Sequence, residues 1–119
     1  MTTQIRAVLS ADSIAGTTVQ NMSKEDLGEI KSLMIDLSEG KIAYAVLSFG
    51  GFLGMGDKLF AIPWQAFQVV QEEKVFVLDV SKEILEKAPG FDKDNWPDMA
   101  DVTWGQSIHK YYGYDPYWN

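Results

Sequence analysis

Cysteine is absent from the 119-residue chain. That absence excludes a disulfide framework, a thiolate metal site and a cysteine nucleophile. Histidine occurs once, so an all-histidine zinc site is excluded and any Ser-His-Asp arrangement would have to use His109. Basic charge is scarce: ten Lys and Arg face seventeen Asp and Glu, for a formal charge of -7. Such a field repels phosphate backbones and anionic headgroups, so direct nucleic-acid binding is not expected. No apolar run reaches the roughly 20 residues of a spanning helix, and the glycine-bearing stretch 42–56 is the longest without charge. The opening "MTTQIRAVLSADSIAG" has no basic start followed by an apolar core, so it does not read as a secretory leader. A cytoplasmic location and no membrane span are the expectations.

What is present is 46% hydrophobic and 23% charged, the composition of a folded protein of one domain. Short segments rich in β-branched and aromatic residues alternate with turn signals over the first two thirds, which predicts a small all-β barrel or sandwich. "TTVQNM" runs into a turn at Ser23-Lys24-Glu25-Asp26. "LGEIKSLMIDL" (27–37) alternates imperfectly and reads as partly covered on both faces, and Ser38-Glu39-Gly40 turns it into "KIAYAVLSF" (41–49). This latter strand is apolar on both sides and must be buried on both, at the centre of the molecule or at an interface. "KLFAIPW" should end at Pro63, which cannot donate to a ladder. "AFQVVQE" and "KVFVLDV" predict a hairpin with a charged tip at Glu72-Glu73. Ser81 caps a short helix, "KEILEKA", stopped by Pro89-Gly90. A second helix is expected from near Pro97 to about Tyr112, with Gly113 as its stop. Met99, Val102, Trp104, Ile108, Tyr111 and Tyr112 give it more than one narrow apolar stripe.

Two stretches invite a chemical reading. In "GGFLGMGDKLFAIPW", Gly51 and Gly56 have phosphate-loop spacing, but Asp57 stands where the lysine is required and Leu59 offers no hydroxyl. The glycines read instead as a shaped connection between strands. Phe52, Leu53 and Met55 then need cover from the barrel mouth or from another chain, each being worth about 1.5 to 3 kcal/mol on burial. "FDKDNWPDMAD" offers Asp92, Asp94, Asn95, Asp98 and Asp101, yet the calcium-loop template meets Pro97 at its glycine position and Thr103 at its final glutamate. A solvated helix start explains those acids. His109 has neither a nucleophile elbow nor an HExxH partner nearby and reads as structural. No catalytic residue, cofactor or metal is therefore expected.

Eight of the fifteen aromatic residues fall in 91–119, a stretch with only Lys93 and Lys110 against five aspartates. That ratio does not suit base stacking on single strands. The segment must dock, either as a lid on its own barrel or on a neighbouring subunit.

The stretches "VQNMSKEDLGEIKSLMID", "KIAYAVLSF", "GGFLGMGDKLFAIPW" and "FVLDVSKEILEKAPGF" together resemble the PRC-barrel family, over about residues 11–91. The family is named for the barrel of the photosynthetic reaction-centre H subunit, and a related barrel forms part of a ribosome-maturation factor. The resemblance implies a small, strongly bent antiparallel β-barrel used for assembly or protein contact, with no shared catalytic residues. The tail "DKDNWPDM" resembles an extension of stand-alone bacterial members. Neither the anchor helix of the first relative nor the N-terminal domain of the second is expected, so neither relative's specific task is carried over.

The combined expectation is a mainly β chain. About six strands form a PRC-type barrel over 1–90, and an aromatic-rich helical extension over 91–119 belongs to the same structural domain. The expected function is a non-catalytic binding or assembly module that self-associates, a dimer being favoured, and contacts a protein partner not identifiable from sequence. Its contact residues would be Phe52, Leu53 and Met55 on the loop, with Trp104, Tyr111, Tyr112 and Trp118 on the extension. The alternative is a small-molecule binder or enzyme with a pocket between barrel and extension lined by Trp64, Trp96 and His109. An assembly factor for ribosomes or photosynthetic complexes follows from the resemblance alone.

Overall fold

The computed structural model describes residues 8–49, 58–70 and 75–119. One turn of helix, α1 (Ala11–Ile14), leads into β1 (Thr18–Gln20), β2 (Asp26–Asp36), β3 (Lys41–Phe49) and β4 (Lys58–Pro63). After a 3-10 turn (Trp64–Ala66) come β5 (Phe67–Val70), β6 (Val75–Leu78), α2 (Lys82–Glu86) and α3 (Val102–Tyr112). The six strands form one sheet in the order β4-β3-β2-β1-β6-β5, bent into a half-barrel. Strand pairing is antiparallel except between β1 and β6, which run parallel. The expectation of a wholly antiparallel barrel thus gives way to a mixed sheet. A four-strand meander and a separate β5–β6 hairpin join through β6, and that junction sets the direction.

Local chemistry fixes the element ends. Asn21 Oδ1 accepts from the backbone N–H groups of Ser23 and Glu25 at 3.0 and 2.9 Å, closing the β1–β2 turn. Asp36 does the same for Ser38 and Glu39 at 2.9 and 3.0 Å in the β2–β3 turn. Pro63 ends β4, and Ser81 Oγ caps α2 by accepting from Ile84 N at 3.1 Å. Gly113, at φ 83°, ends α3 as expected. The start of α3 differs from the expected Pro97. Asp98 holds a turn by accepting from Ala100 N at 3.0 Å, and Asp101 then caps the helix through Thr103 N at 2.9 Å. Two successive aspartates that can each close a turn favour a bend before the helix over an earlier helical start.

Bulges bend the sheet. The β1–β2 register shifts at Gly28, whose φ is 115° and whose missing side chain lets the Ser48 carbonyl approach; a Cβ there would stand 2.0 Å from that oxygen. In the β2–β3 ladder Met34 pairs with Tyr44 and Ile35 with Ile42, leaving Ala43 extra. The bulge brings Ala43 and Tyr44, neighbours that a regular strand sends to opposite faces, into the same buried cluster.

The main core lies on one face of the sheet. Val19, Leu27, Ile30, Leu47, Phe60 and Leu78 are fully buried there. Leu85 of α2 plugs the same core. The other face of β3 and β4 is covered by α3, which presents Gly105, Ile108 and His109 at helical spacing toward Tyr44 and Ala61. Residues 43–49 of β3 are all buried, so the strand that had to be covered on both sides is covered by the extension of the same chain. Cover of β2 is partial, as expected, and thins toward the turn: Leu33 and Met34 are half-buried, whereas Ile35 and the following Leu37 are 54% and 91% exposed.

Candidate functional site: a groove between the β2–β3 turn and the aromatic extension

Where β2 and β3 pass beyond the end of α3, the chain doubles back over them and leaves an open groove of about 560 Å³. One wall is the hairpin, from Met34 through Glu39 with Ala43 and Tyr44. The other is Met99 to Val102, with Tyr117 and Trp118 closing the end.

Aromatic packing holds this wall in place. Tyr44 is 1% exposed, and its ring meets Trp104 at 5.2 Å and Tyr117 at 6.1 Å between centroids, both edge to face. Trp118 stands edge-on to His109 at 5.5 Å and to Tyr117 at 5.0 Å. It covers Gly105 so closely that a Cβ on that residue would lie 2.7 Å from Trp118 Cη2. The polar fastening is the Tyr117 hydroxyl, which donates to Asp36 Oδ2 across 81 residues of sequence. Gln65 Nε2 adds a bond to the Asp115 carbonyl at 3.1 Å.

The electrostatics follow from these contacts. The Tyr117 hydrogen bond, helped by the backbone N–H of Glu39 and of Ser38, holds the Asp36 carboxyl below the ordinary carboxylate value. Burial, with the Asp36 charge adding to it, pushes the Tyr44 phenol up to about 12. Burial also raises Tyr112 and Tyr117, the latter further through its bond to Asp36. Among the described residues the buried hydroxyls of Tyr44 and Tyr112 and the Nε2 of His109 have no hydrogen-bond partner. The other ring nitrogen of His109 lies 2.8 Å from the Gly105 carbonyl, so Nδ1 carries the proton and donates.

The residues singled out from sequence are dispersed. Phe52, Leu53 and Met55 lie outside the described residues. Trp104 and Tyr112 are half-buried against the barrel, and Trp118 is half-buried over His109 and Tyr117. Tyr111 remains 38% exposed beside Ile84, whose carbonyl accepts from its hydroxyl at 2.5 Å. Trp64, Trp96 and His109 are not brought together at this groove. Trp64 packs on Phe67 and Phe76, Trp96 on Phe91, and His109 is fully buried under the aromatic extension. Among the described residues no three His, Asp or Glu side chains are grouped to hold a metal. Sequence reasoning missed Asp36, Ile35, Leu37 and Tyr117 as a group. Their one local signal is the broken alternation of "LMIDL", which leaves apolar residues on both faces at a hairpin end.

A half-barrel built from a four-strand meander and a β5–β6 hairpin, with a helix over its outer face, defines a small β module whose groove combines apolar walls with carboxylates. Residues 7–85 match the family model of the PRC-barrel domain, more than half of the chain. The chain belongs to the PRC-barrel family. That match stops before α3, so the groove joins a family-typical hairpin to an extension beyond the matched region. No curated protein matches the chain. Among the described residues no helix is long and apolar enough to cross a membrane.

Proposed function

We propose that this PRC-barrel chain is a non-catalytic contact module that self-associates and docks other proteins. One observation carries the reading. Ile35, Leu37 and Val102, at 54%, 91% and 56% exposed, stand together around the rim of the groove. Covering Leu37 would contribute on the order of 1.5 to 3 kcal/mol, and the half-covered Ile35 and Val102 about half as much each, which favours a partner surface. Tyr111 and Ile84 form a second small apolar patch on the α2–α3 side and are the better candidates for contact between copies. Sedimentation velocity at micromolar concentrations tests the self-association: a dimer that dissociates on Tyr111→Lys supports it, and a monomer at every concentration removes it.

A further inference from the structure

The groove has a more specific chemistry than a generic contact face, and naming its occupant rests on the contact-module reading above. Its volume of about 560 Å³ falls in the range that takes a small molecule or a few side chains. The apolar lining of Met34, Ala43, Met99 and Val102 continues outward onto Ile35 and Leu37. A small molecule seated inside would leave Leu37 in water, whereas an extended chain running along the β2–β3 turn would cover it.

Charge narrows the occupant further. Asp36, Glu39 and Asp101 all line the groove and no lysine or arginine does; the one cation beside it among the described residues is Lys41, outside the lining and 3.9 Å from Glu39 Oε1, which leaves three carboxylates to one ammonium. Asp36 already serves Tyr117 and two backbone N–H groups, and Asp101 caps α3, but a carboxylate has about four acceptor positions and each retains some. A second copy of this chain would bring the same carboxylates against these three and be repelled. At the inner end the buried ring of Tyr44 closes the groove, its hydroxyl packed against Gly105 of α3. An extended peptide lays its alternate side chains on the apolar walls and turns the others toward the carboxylates.

We propose that the groove binds an extended peptide segment of another protein in which large aliphatic side chains alternate with lysine or arginine. The aliphatic groups enter between Met34 and Val102, and the cations meet Asp36, Glu39 and Asp101.

The test is fluorescence anisotropy of a fluorescein-labelled, amidated octapeptide of alternating leucine and lysine, titrated with the full chain at low and high salt. Saturable binding that weakens several-fold on going from about 50 to about 300 mM salt is expected. Leu37→Lys, at an exposed site where folding is unaffected, should weaken it roughly ten-fold. Equal binding of a leucine–glutamate or a serine–lysine octapeptide overturns the proposal, as does a Leu37→Lys chain that binds like the parent. A Leu37→Lys substitution that dissociates a dimer also overturns it, since the groove then holds a second copy. Sedimentation of the unliganded chain reads self-association separately, so a monomer that binds the leucine–lysine peptide sinks only the self-association part of the earlier reading.

Discussion

Gly105→Ala sets two physical effects against each other, and the structure decides between them. In an ordinary helix interior this change stabilises by about 1 kcal/mol, because glycine loses more backbone freedom on folding. Here the new Cβ would lie 2.7 and 3.2 Å from Trp118 Cη2 and Cζ3 and 2.9 Å from Tyr44 Oη. Carbon atoms in contact prefer about 3.5 to 4.0 Å, so something must move by nearly 1 Å. Tyr44 cannot retreat, being buried in β3 between Trp104 and Tyr117. Trp118 must therefore lift, losing its edge contacts with His109 and Tyr117. Each such contact is worth about 0.5 to 1.5 kcal/mol beyond area, and overpacking in general costs about 1 to 3 kcal/mol. The net expectation is destabilisation by about 1 to 2 kcal/mol, a fall in Tm of about 3 to 8 °C for a chain this size. Calorimetry of four proteins measures it: parent, Gly105→Ala, Trp118→Ala and the double variant. In the Trp118→Ala background the alanine penalty should shrink by at least half. A rise in Tm for Gly105→Ala alone would refute the packing of residue 118 on α3.

Gly28→Ala should be more severe, because the Cβ meets a backbone carbonyl at 2.0 Å and the residue sits at φ 115°; a loss of about 3 kcal/mol or more is expected in urea unfolding. Asp36 supplies an acid-side prediction. Its folded-state pKa is lowered, so its contribution is fully present above the ordinary value of 3.8 and is lost as pH falls through the lower folded value. The Tm difference between the parent and Asp36→Asn should accordingly be constant near neutrality and close as pH drops below 3.8; a difference independent of pH would show that the Tyr117–Asp36 bond does not form in solution. On the alkaline side Tyr44 is pushed up to about 12 from 10.0, so the unfolded chain ionises first and stability falls between those pH values. Tyr44→Phe should flatten that limb and raise Tm near neutrality, because it removes a buried hydroxyl that has no partner among the described residues, checked by thermal denaturation from neutral to strongly alkaline pH.

By itself the sequence determined what short-range chemistry can specify. Alternation placed the strands, Pro63 ended one of them, Ser81 capped α2 and Gly113 stopped α3, because each effect acts over a few residues along the chain. It also required that β3 be covered on both faces, since seven of its eight residues 42–49 are apolar and fall on both sides. What supplied the cover was settled only by tertiary structure, as were the parallel β1–β6 pair and the bulge that turns Ala43 and Tyr44 to the same side. The start of α3 moved from Pro97 to Val102 through competition between two aspartate-closed turns. The groove was least legible, because its defining bond joins Asp36 to Tyr117 across 81 residues. No local period records such a meeting. It arises where the bend of the sheet and the return of the aromatic extension coincide in space, and those depend on the packing of the whole core.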